Sequence, residues 1–209
     1  MVPQSSIDRD VALISRLGAI PTILEVVALT TGMRFAAVAR VTDTQWTACA
    51  VYDQIDFGLA VGGELVLEST ICNEIRGHHL PVLFGHASED PIFSTHPTPK
   101  LYGLESYVSV PILLSDGSFF GTLCAIDPAP AKLDDPRILK TLQAFTTLIA
   151  AQFEAEARRD AAESELFDAQ ATAGLRDQFI AVLGHDLRNP VQSISMGADM
   201  LARQLPDGR

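Results

Sequence analysis

The stretch from Phe179 to Pro190 brings together residue types that can do chemistry. It reads FIAVLGHDLRNP and contains one histidine, His185, followed directly by Asp186. A neutral imidazole is a competent nucleophile, and its reference pKa of about 6.5 keeps much of it neutral at cellular pH. The adjacent carboxylate can accept the ring N–H or take up a proton as the imidazole reacts. These residues predict a nucleophilic histidine assisted by an acid.

A long helix is predicted to carry this stretch. It begins near Asp134 or Asp135, has Pro136 in its first turn and continues to about Leu205. A helix of this length cannot bury itself in a small domain, so the pattern favours a coiled coil. One set of mainly large apolar residues recurs at intervals of seven: Leu166, Ala173, Ile180, Leu187, Ile194 and Leu201.

The companion seam of this coiled coil is weaker. Its positions are Ala169, Arg176, Leu183 and Pro190. The weakness fits either a linker that changes register or a plain solvated spacer helix, and the sequence leaves both open. If Ile180 lies on the seam, His185 lies about 140° around the helix and faces outward, where another domain can reach it.

The twelve-residue stretch resembles the H-box of histidine kinases. In that motif, Phe and several apolar residues precede Ser or Gly, then His, Glu or Asp, Leu, Arg, Asn or Thr, and Pro. The resemblance implies that His185 is the phosphoacceptor and that Asp186, in place of the commoner Glu, is its acid/base partner. Arg188, Asn189 and Pro190 complete the motif, and Pro190 should bend the helix beside the acceptor. The alternative is an ordinary amphipathic helix with a surface histidine.

Upstream of residue 134 the pattern predicts a mixed domain of helices and strands. Helices are expected at Ile7–Leu17, Pro21–Gly32 and Glu68–His78. Strands are expected at Phe35–Val41, Trp46–Tyr52, Pro81–Phe84, Ser106–Leu114 and Ser118–Ile126. The last two form a hairpin around Asp116-Gly117, and Gly121 suggests a close backbone approach or a bulge. Gly85–Gly103 is expected to be a long surface loop.

This domain resembles GAF domains. The resemblance rests on the order of elements and on two segments, SYVSVPI from Ser106 and FGTLCAID from Phe120, which look like the family's final hairpin. It implies an α+β fold, with a GAF-like antiparallel sheet flanked by helices and followed by a long C-terminal coiled-coil helix. The expected domains are 1–133 for the sensory part, 134–175 for a helical linker and 176–209 for the first helix of a phosphoacceptor domain. PAS kinship is the competing interpretation.

The GAF resemblance also implies a ligand pocket over the sheet. Its expected walls are Cys72, Glu74, Ile75, Phe84, His86, Phe93, Tyr102, Tyr107 and Ser109. The ligand stays unknown. Asn73 stands where a bilin-attaching cysteine is usually followed by His, which disfavours a covalent bilin. The motif set of cyclic-nucleotide GAF domains is not found, and the histidine spacing matches no haem or metal motif, so no metal site is expected. An empty domain acting as a relay is the remaining option.

Composition narrows the function classes. The formal net charge of −11 disfavours general nucleic-acid binding. Three widely spaced cysteines suit reduced thiols better than a disulfide frame. Neither a signal peptide nor a run of about 20 apolar residues is found, so we expect a cytoplasmic protein.

Three functions are compatible with these features. The first is the sensory and phosphoacceptor portion of a bacterial two-component histidine kinase, with ATP supplied through a catalytic domain that this sequence does not include. Its expected partners are itself, as a parallel homodimer, a response-regulator receiver domain, and either an unknown small molecule or none. We expect no autokinase activity from these 209 residues alone. The second is a thiol-based small-molecule reductase using Cys49, Cys72 and Cys124. The third is a dimerisation module without phosphotransfer.

Overall fold

A six-stranded antiparallel sheet forms the centre of the N-terminal part of the protein, and its strand order is β3-β2-β1-β6-β5-β4. The computed structural model describes the backbone of residues 4–204 and the side chains of residues 6–172, 174–176, 194–196 and 200. The strands are β1 (Phe35–Val41), β2 (Trp46–Asp53), β3 (Glu64–Leu65), β4 (Val82–Phe84), β5 (Ser106–Leu113) and β6 (Phe119–Asp127). The predicted α+β fold, an antiparallel sheet flanked by helices and followed by a long helix, is confirmed.

Between residues 4 and 204, five α-helices accompany the sheet: α1 (Gln4–Arg16), α2 (Ile20–Thr31), α3 (Ile71–His78), α4 (Pro97–Tyr102) and α5 (Pro136–Gln204). Two expectations need correction. The segment predicted as a helix from Glu68 begins as a 3-10 turn at Leu67–Ser69, and the α-helix starts only at Ile71. The predicted loop Gly85–Gly103 contains a 3-10 turn and α4, because Pro97 suits a first helical position and Gly103 ends the helix with φ 65°.

One face of the sheet is covered by helices. The side chains of α1, α2 and the first turns of α5 pack there against alternate residues of the strands, including Val38, Val108, Val110, Leu123 and Ala125. Leu142, Ile149 and Phe153 of α5 are buried in this core. Because strand side chains alternate between faces, the neighbouring residues of β1, β5 and β6 point to the opposite face.

Besides their antiparallel pairing, the central strands β1 and β6 are linked by a close backbone approach at one end and an ion pair at the other. A Cβ on Gly121 would overlap the carbonyl oxygen of Ala39, so the predicted close approach is confirmed. At the other end of the pair, the buried carboxylate of Asp127 accepts hydrogen bonds from Arg34 N and Nε at 2.9 Å and from Arg34 Nη2 at 2.7 Å. The Arg34 guanidinium holds the pKa of Asp127 below its ordinary value, against the opposing effect of burial.

The chain divides into two compact units, Met1–Ala157 and Arg158–Arg209. Several large apolar side chains of the second unit are exposed: Leu166, Phe167, Leu175, Ile194, Met196 and Met200.

Among the described residues, no single helix has the length and apolar composition to span a membrane; α1 and α2 meet those criteria only as a pair bent by 78°.

Candidate functional site

A small cavity lies between the second face of the sheet and the elements that cover it, among them α3 and α4. Its volume is about 40 Å³, enough for a water-sized molecule. Its walls are apolar or aromatic apart from a few thiol, hydroxyl and indole groups. The lining residues are Phe35, Trp46, Phe57, Leu59, Leu65, Thr70, Ile71, Cys72, Thr98, Tyr102, Leu104, Tyr107, Cys124 and Ile126.

Cys72 is the polar centre of this cavity. Its side chain is buried, with 4% of the residue exposed. Thr122 donates its hydroxyl to Cys72 Sγ at 3.3 Å. The hydroxyls of Tyr107 and Ser109 lie 3.5 Å and 3.9 Å from the same sulfur. The sulfur is therefore surrounded by hydroxyl groups that can donate to a thiolate.

Cys124 is the second thiol that lines the cavity, and its Sγ–H donates to the carbonyl oxygen of Ala37 at 3.6 Å. Interaction with Cys124, followed by the hydroxyls of Thr122 and Tyr107 and the indole of Trp46, lowers the pKa of Cys72 to about 6, although burial acts in the opposite direction. The same interaction and burial raise the pKa of Cys124 well above its ordinary value. Burial also raises the pKa of Tyr107, so its phenol stays protonated. Of the two thiols, Cys72 is the one that ionises first.

Strand register explains why these groups meet. Tyr107 and Ser109 are alternate residues of β5, and Thr122 and Cys124 are alternate residues of β6. Ser109 pairs with Cys124 across the two strands. Side chains at alternate positions share a face of the sheet, so these four groups point into the same layer. Cys72 reaches them from the first turn of α3.

Trp46 supplies an unsatisfied donor. Its residue is 2% exposed and lines the same cavity. Its Nε1–H is buried and makes no hydrogen bond of normal geometry within the described residues, although the indole lies near enough to Cys72 to contribute to the lowered pKa of that thiol. An unpaired buried donor costs free energy and is usually satisfied by a ligand or an ordered water. The cavity is therefore suited to a small molecule that carries an acceptor atom.

The third cysteine is separated from the other two by the sheet. Cys49 is the extra residue of a bulge in β2, where Val38 pairs with Ala50 and Ala39 with Ala48. Its side chain packs in the helix-covered core. Burial raises the pKa of Cys49 to about 12, so this thiol stays protonated.

The residues predicted for the pocket fall into two groups. Cys72, Tyr102 and Tyr107 line the cavity, and Ser109 adjoins it through Cys72. Ile75, Phe84 and Phe93 belong to the hydrophobic cluster of the same face, where Phe84 stacks on Tyr107 at 5.4 Å and on Phe93 at 4.2 Å between ring centroids.

Glu74 and His86, also predicted for the pocket, are placed elsewhere. Glu74 Oε1 is 2.8 Å from His96 Nε2, and half of its side chain is exposed. His86 Nδ1 is 3.0 Å from Glu89 Oε2, and its Nε2 is 3.7 Å from Glu105 Oε2. Both residues are outside the cavity lining, and each has a polar partner there.

The residues of the H-box-like motif lie on α5 by their backbone. The side chains of His185, Asp186, Arg188, Asn189 and Pro190 are outside the described residues, so their predicted roles stay predictions. Within the part of the chain that the structure describes, no group of three or more His, Cys, Asp or Glu side chains could hold a metal ion.

Trp46, Thr122 and Cys124 were not predicted as pocket residues. The signal for the two β6 residues is alternation, since Thr122, Cys124 and Ile126 occur at intervals of two in a predicted strand. No comparable signal exists for Trp46, because its position over Cys72 depends on how β2 and α3 meet in three dimensions.

A larger surface groove of about 580 Å³ lies between β5 and α5. Its single carboxylate, Glu154, already accepts hydrogen bonds at 2.7 Å from the backbone N and the Oγ of Ser115. The groove lining includes no cysteine and only one histidine, His79. The cavity around Cys72, which is lined by two thiols, is therefore a better candidate for a functional site than this groove.

Comparisons with known proteins agree with this architecture. The GAF domain model matches residues 16–153. A GAF domain region from Geobacter sulfurreducens PCA is 14% identical, with a TM-score of 0.55 over 73% of this chain and 99% of that chain. The GAF domain from Acinetobacter phosphoenolpyruvate-protein phosphotransferase is 13% identical, with a TM-score of 0.54 over 77% and 99%. At such identities the likeness establishes the fold alone.

The blue-light absorbing form of the Thermosynechococcus elongatus PixJ GAF-domain is also similar. It is 13% identical, with a TM-score of 0.52 over 80% of this chain and 96% of that chain. No curated protein matches the chain by sequence. The assignment of this domain to a family therefore rests on the family model, and structural similarity supports the fold.

Proposed function

Because this chain belongs to the GAF domain family, whose members are typical of signalling sensors, we propose that it is the sensory and phosphoacceptor portion of a two-component histidine kinase. One observation carries the proposal. Helix α5 contributes Leu142, Ile149 and Phe153 to the GAF core, and the same helix contains the H-box-like motif around His185. A single element thus belongs both to the sensor and to the phosphoacceptor segment.

The core packing of α5 supports a mechanical role for this helix. Protein cores are close-packed and respond to a shift of one element by moving its neighbours. Phe120 of β6 packs against Phe153 of α5 with ring centroids 4.5 Å apart. A rearrangement of the sheet around the cavity would therefore shift α5. His185 lies further along the same helix, so such a shift is a route by which the signal would reach it.

In this proposal His185 is the nucleophile that accepts the phosphoryl group. An ATP-binding domain presents the nucleotide, Asp186 orients the imidazole or takes up its proton, and a response-regulator receiver domain then removes the phosphate. Residues 1–133 sense the signal, residues 134–175 transmit it, and residues 176–209 begin the phosphoacceptor domain. This chemistry places the protein in the cytoplasm, where ATP is supplied.

Self-association as a parallel homodimer is part of the same proposal. Leu166 and Ile194, which belong to the predicted seven-residue repeat, are 59% and 71% exposed in the single chain. A coiled coil with a second copy would bury them. Sedimentation should give a dimer for the wild type and a monomer for the double variant Leu166→Glu/Ile194→Glu, while Glu163→Lys, a surface change on the same helix, should leave the dimer intact.

The decisive test is phosphorylation in trans. The purified chain is incubated with labelled ATP and the isolated ATP-binding domain of a histidine kinase. The expected product is an acid-labile, alkali-stable phosphate that is lost in His185→Gln and kept in His86→Gln, a substitution at a surface histidine. Label that survives His185→Gln would contradict the assignment. Absence of label with several catalytic domains would favour a dimerisation module without phosphotransfer.

A thiol-based small-molecule reductase is the second candidate, because Cys72 and Cys124 share one cavity. The cavity of about 40 Å³ is far smaller than the roughly 300–1,000 Å³ of typical ligand sites. Turnover of a sulfoxide substrate with a dithiol reductant would support the reductase. The size of the cavity favours the signalling role.

A further inference from the structure

The cavity around Cys72 has a chemical character that phosphotransfer through His185 does not require. We propose that Cys72 is a modification site for small hydroperoxides and that Cys124 is the thiol that resolves the oxidised Cys72 into a disulfide within the domain. This inference goes beyond the proposed function, and it rests on the described side chains of the GAF domain alone.

The first support is the set of donors around Cys72. Thr122 donates to the sulfur at 3.3 Å, and the hydroxyls of Tyr107 and Ser109 lie 3.5 Å and 3.9 Å from it. Hydrogen bonds to an ionised acceptor are roughly twice as strong as those between neutral groups. The thiolate is the nucleophilic form of cysteine, so this arrangement favours the reactive form. It accounts for the lowered pKa of Cys72, despite its burial.

The second support is the unpaired indole of Trp46. Its Nε1–H is buried, makes no hydrogen bond of normal geometry with any side chain or backbone group that the structure describes, and lines the cavity that contains both sulfurs. A peroxide oxygen, or the oxygen of a sulfenic acid on Cys72, would give this donor an acceptor. The position of this donor, beside Cys72 in the cavity wall, indicates that an oxygen-bearing group belongs in the cavity.

The third support is size. A cavity of about 40 Å³ admits a molecule close to water in dimensions. Hydrogen peroxide and the smallest alkyl hydroperoxides meet this limit, whereas an amino acid sulfoxide exceeds it. The apolar walls, including Phe57, Leu59 and Leu65, exclude larger and charged reductants from Cys72.

The reaction consists of two balanced steps. In the first step the Cys72 thiolate attacks one peroxide oxygen, so that an S–O bond forms and the O–O bond breaks. The sulfur is oxidised to a sulfenic acid. The leaving hydroxide or alkoxide takes up a proton and becomes water or an alcohol. The Cys124 sulfur then attacks Cys72, the S–S bond forms, the S–O bond breaks, and the hydroxyl leaves as water with the proton of the Cys124 thiol. The raised pKa of Cys124 keeps that proton in place until this step.

Cys49 provides a control inside the same chain. It is as deeply buried as Cys72 but packs on the opposite face of the sheet, and burial raises its pKa to about 12. A thiol with such a pKa has almost no thiolate at neutral pH. Burial alone therefore predicts that Cys49 and Cys72 are equally inert, whereas the proposal predicts that they differ.

The primary experiment uses the unmodified, reduced, metal-free protein. It is titrated with hydrogen peroxide at neutral pH, its remaining thiols are alkylated after unfolding, and its peptides are identified by mass spectrometry. The expected result is joint loss of the Cys72 and Cys124 thiols, a linked peptide pair lacking two hydrogen atoms, and Cys49 still free. Oxidation of Cys49 at the same rate as Cys72, or oxidation only after addition of urea, would overturn the proposal.

Variants separate the two roles. Cys124→Ser should stop at a sulfenic acid on Cys72 that dimedone traps, and Cys49→Ser should behave as wild type. Thr122→Val keeps the shape of the side chain but removes the shortest donor, so it should slow oxidation of Cys72 about tenfold, the effect of one lost hydrogen bond. A Thr122→Val protein that reacts at the wild-type rate, or a Cys72 that pairs between two chains, would refute the assigned roles. These measurements detect only thiols, so their failure is distinct from a failure of phosphorylation at His185.

Discussion

Truncation of Leu142 tests whether the start of α5 is an integral part of the GAF core. Leu142 is fully buried, with 0% of the residue exposed, and it packs in the cluster formed with α1, α2 and the sheet. If α5 were only attached to the surface of the domain, shortening this side chain would have little effect. If the helix is part of the core, Leu142→Ala leaves a cavity that the surrounding side chains cannot fill.

The expected cost follows from this burial. Removing three buried carbon atoms forfeits about 0.8 kcal/mol each in transfer free energy, and the residual cavity adds to this. Leu→Ala changes at fully buried sites therefore cost about 2.7–5 kcal/mol. At about 2–4 °C per kcal/mol for a chain of this size, the melting temperature of Leu142→Ala should fall by roughly 5–20 °C.

The chain offers its own reporter for this measurement. Trp46 is the only tryptophan of the protein and is 2% exposed, so its fluorescence follows unfolding of the GAF domain. The matched control is Leu148→Ala, the same truncation on the same helix at a residue that is 42% exposed. Its cost should stay below about 1 kcal/mol. Equal destabilisation by the two substitutions, or a cost of Leu142→Ala below that of the control, would refute the core role of α5 and the transmission route built on it.

Three further substitutions test features of the sheet and its flanking helices. Gly121→Ala places a Cβ against the carbonyl oxygen of Ala39, so urea unfolding should show a loss of about 1–3 kcal/mol; a neutral result would mean that β1 and β6 do not approach closely. Gly32→Ala forces an alanine to φ 72° at the end of α2 and should cost about 1 kcal/mol in thermal melts, since the backbone alone is perturbed. Asp127→Asn removes the carboxylate bound by Arg34 and should cost about 1–3 kcal/mol at neutral pH in urea unfolding. The folded-state pKa of Asp127 is lower than its unfolded pKa, so the ion pair contributes its full stability above the unfolded pKa and loses it as pH falls through the folded pKa. The stability difference between Asp127→Asn and wild type should therefore shrink below about pH 4. A difference that stays constant with pH would contradict the ion pair.

Local pattern was sufficient for most of the GAF architecture. The hairpin of β5 and β6 was predictable because alternating apolar residues flank an Asp-Gly turn, and α2 because Pro21 and Gly32 mark its two ends. The course of α5 followed from the absence of proline over a long stretch. The H-box-like motif around His185 is likewise a property of consecutive residues, which is why it could be recognised without any structure.

Features that depend on distant residues were less accessible. Glu74 and His86 were expected in the pocket from the family resemblance, but neither lines the cavity; Glu74 lies 2.8 Å from His96, and His86 lies 3.0 Å from Glu89. The interior of the long segment after β4 was also missed, because α4 is only six residues long and depends on its contacts with the rest of the domain.

The sequence by itself determined five of the six strands, the long helix and the motif, because each depends on periodicity or on adjacent residue types; the two-residue strand β3 was not predicted. Only the tertiary structure decided which cysteines meet. A one-residue bulge in β2 puts Cys49 on the helix-covered face, while the register of β5 with β6 and the docking of α3 bring Cys72 and Cys124 into one cavity with Trp46. These residues are far apart in the chain, and their proximity results from strand pairing and helix packing, which no local pattern encodes.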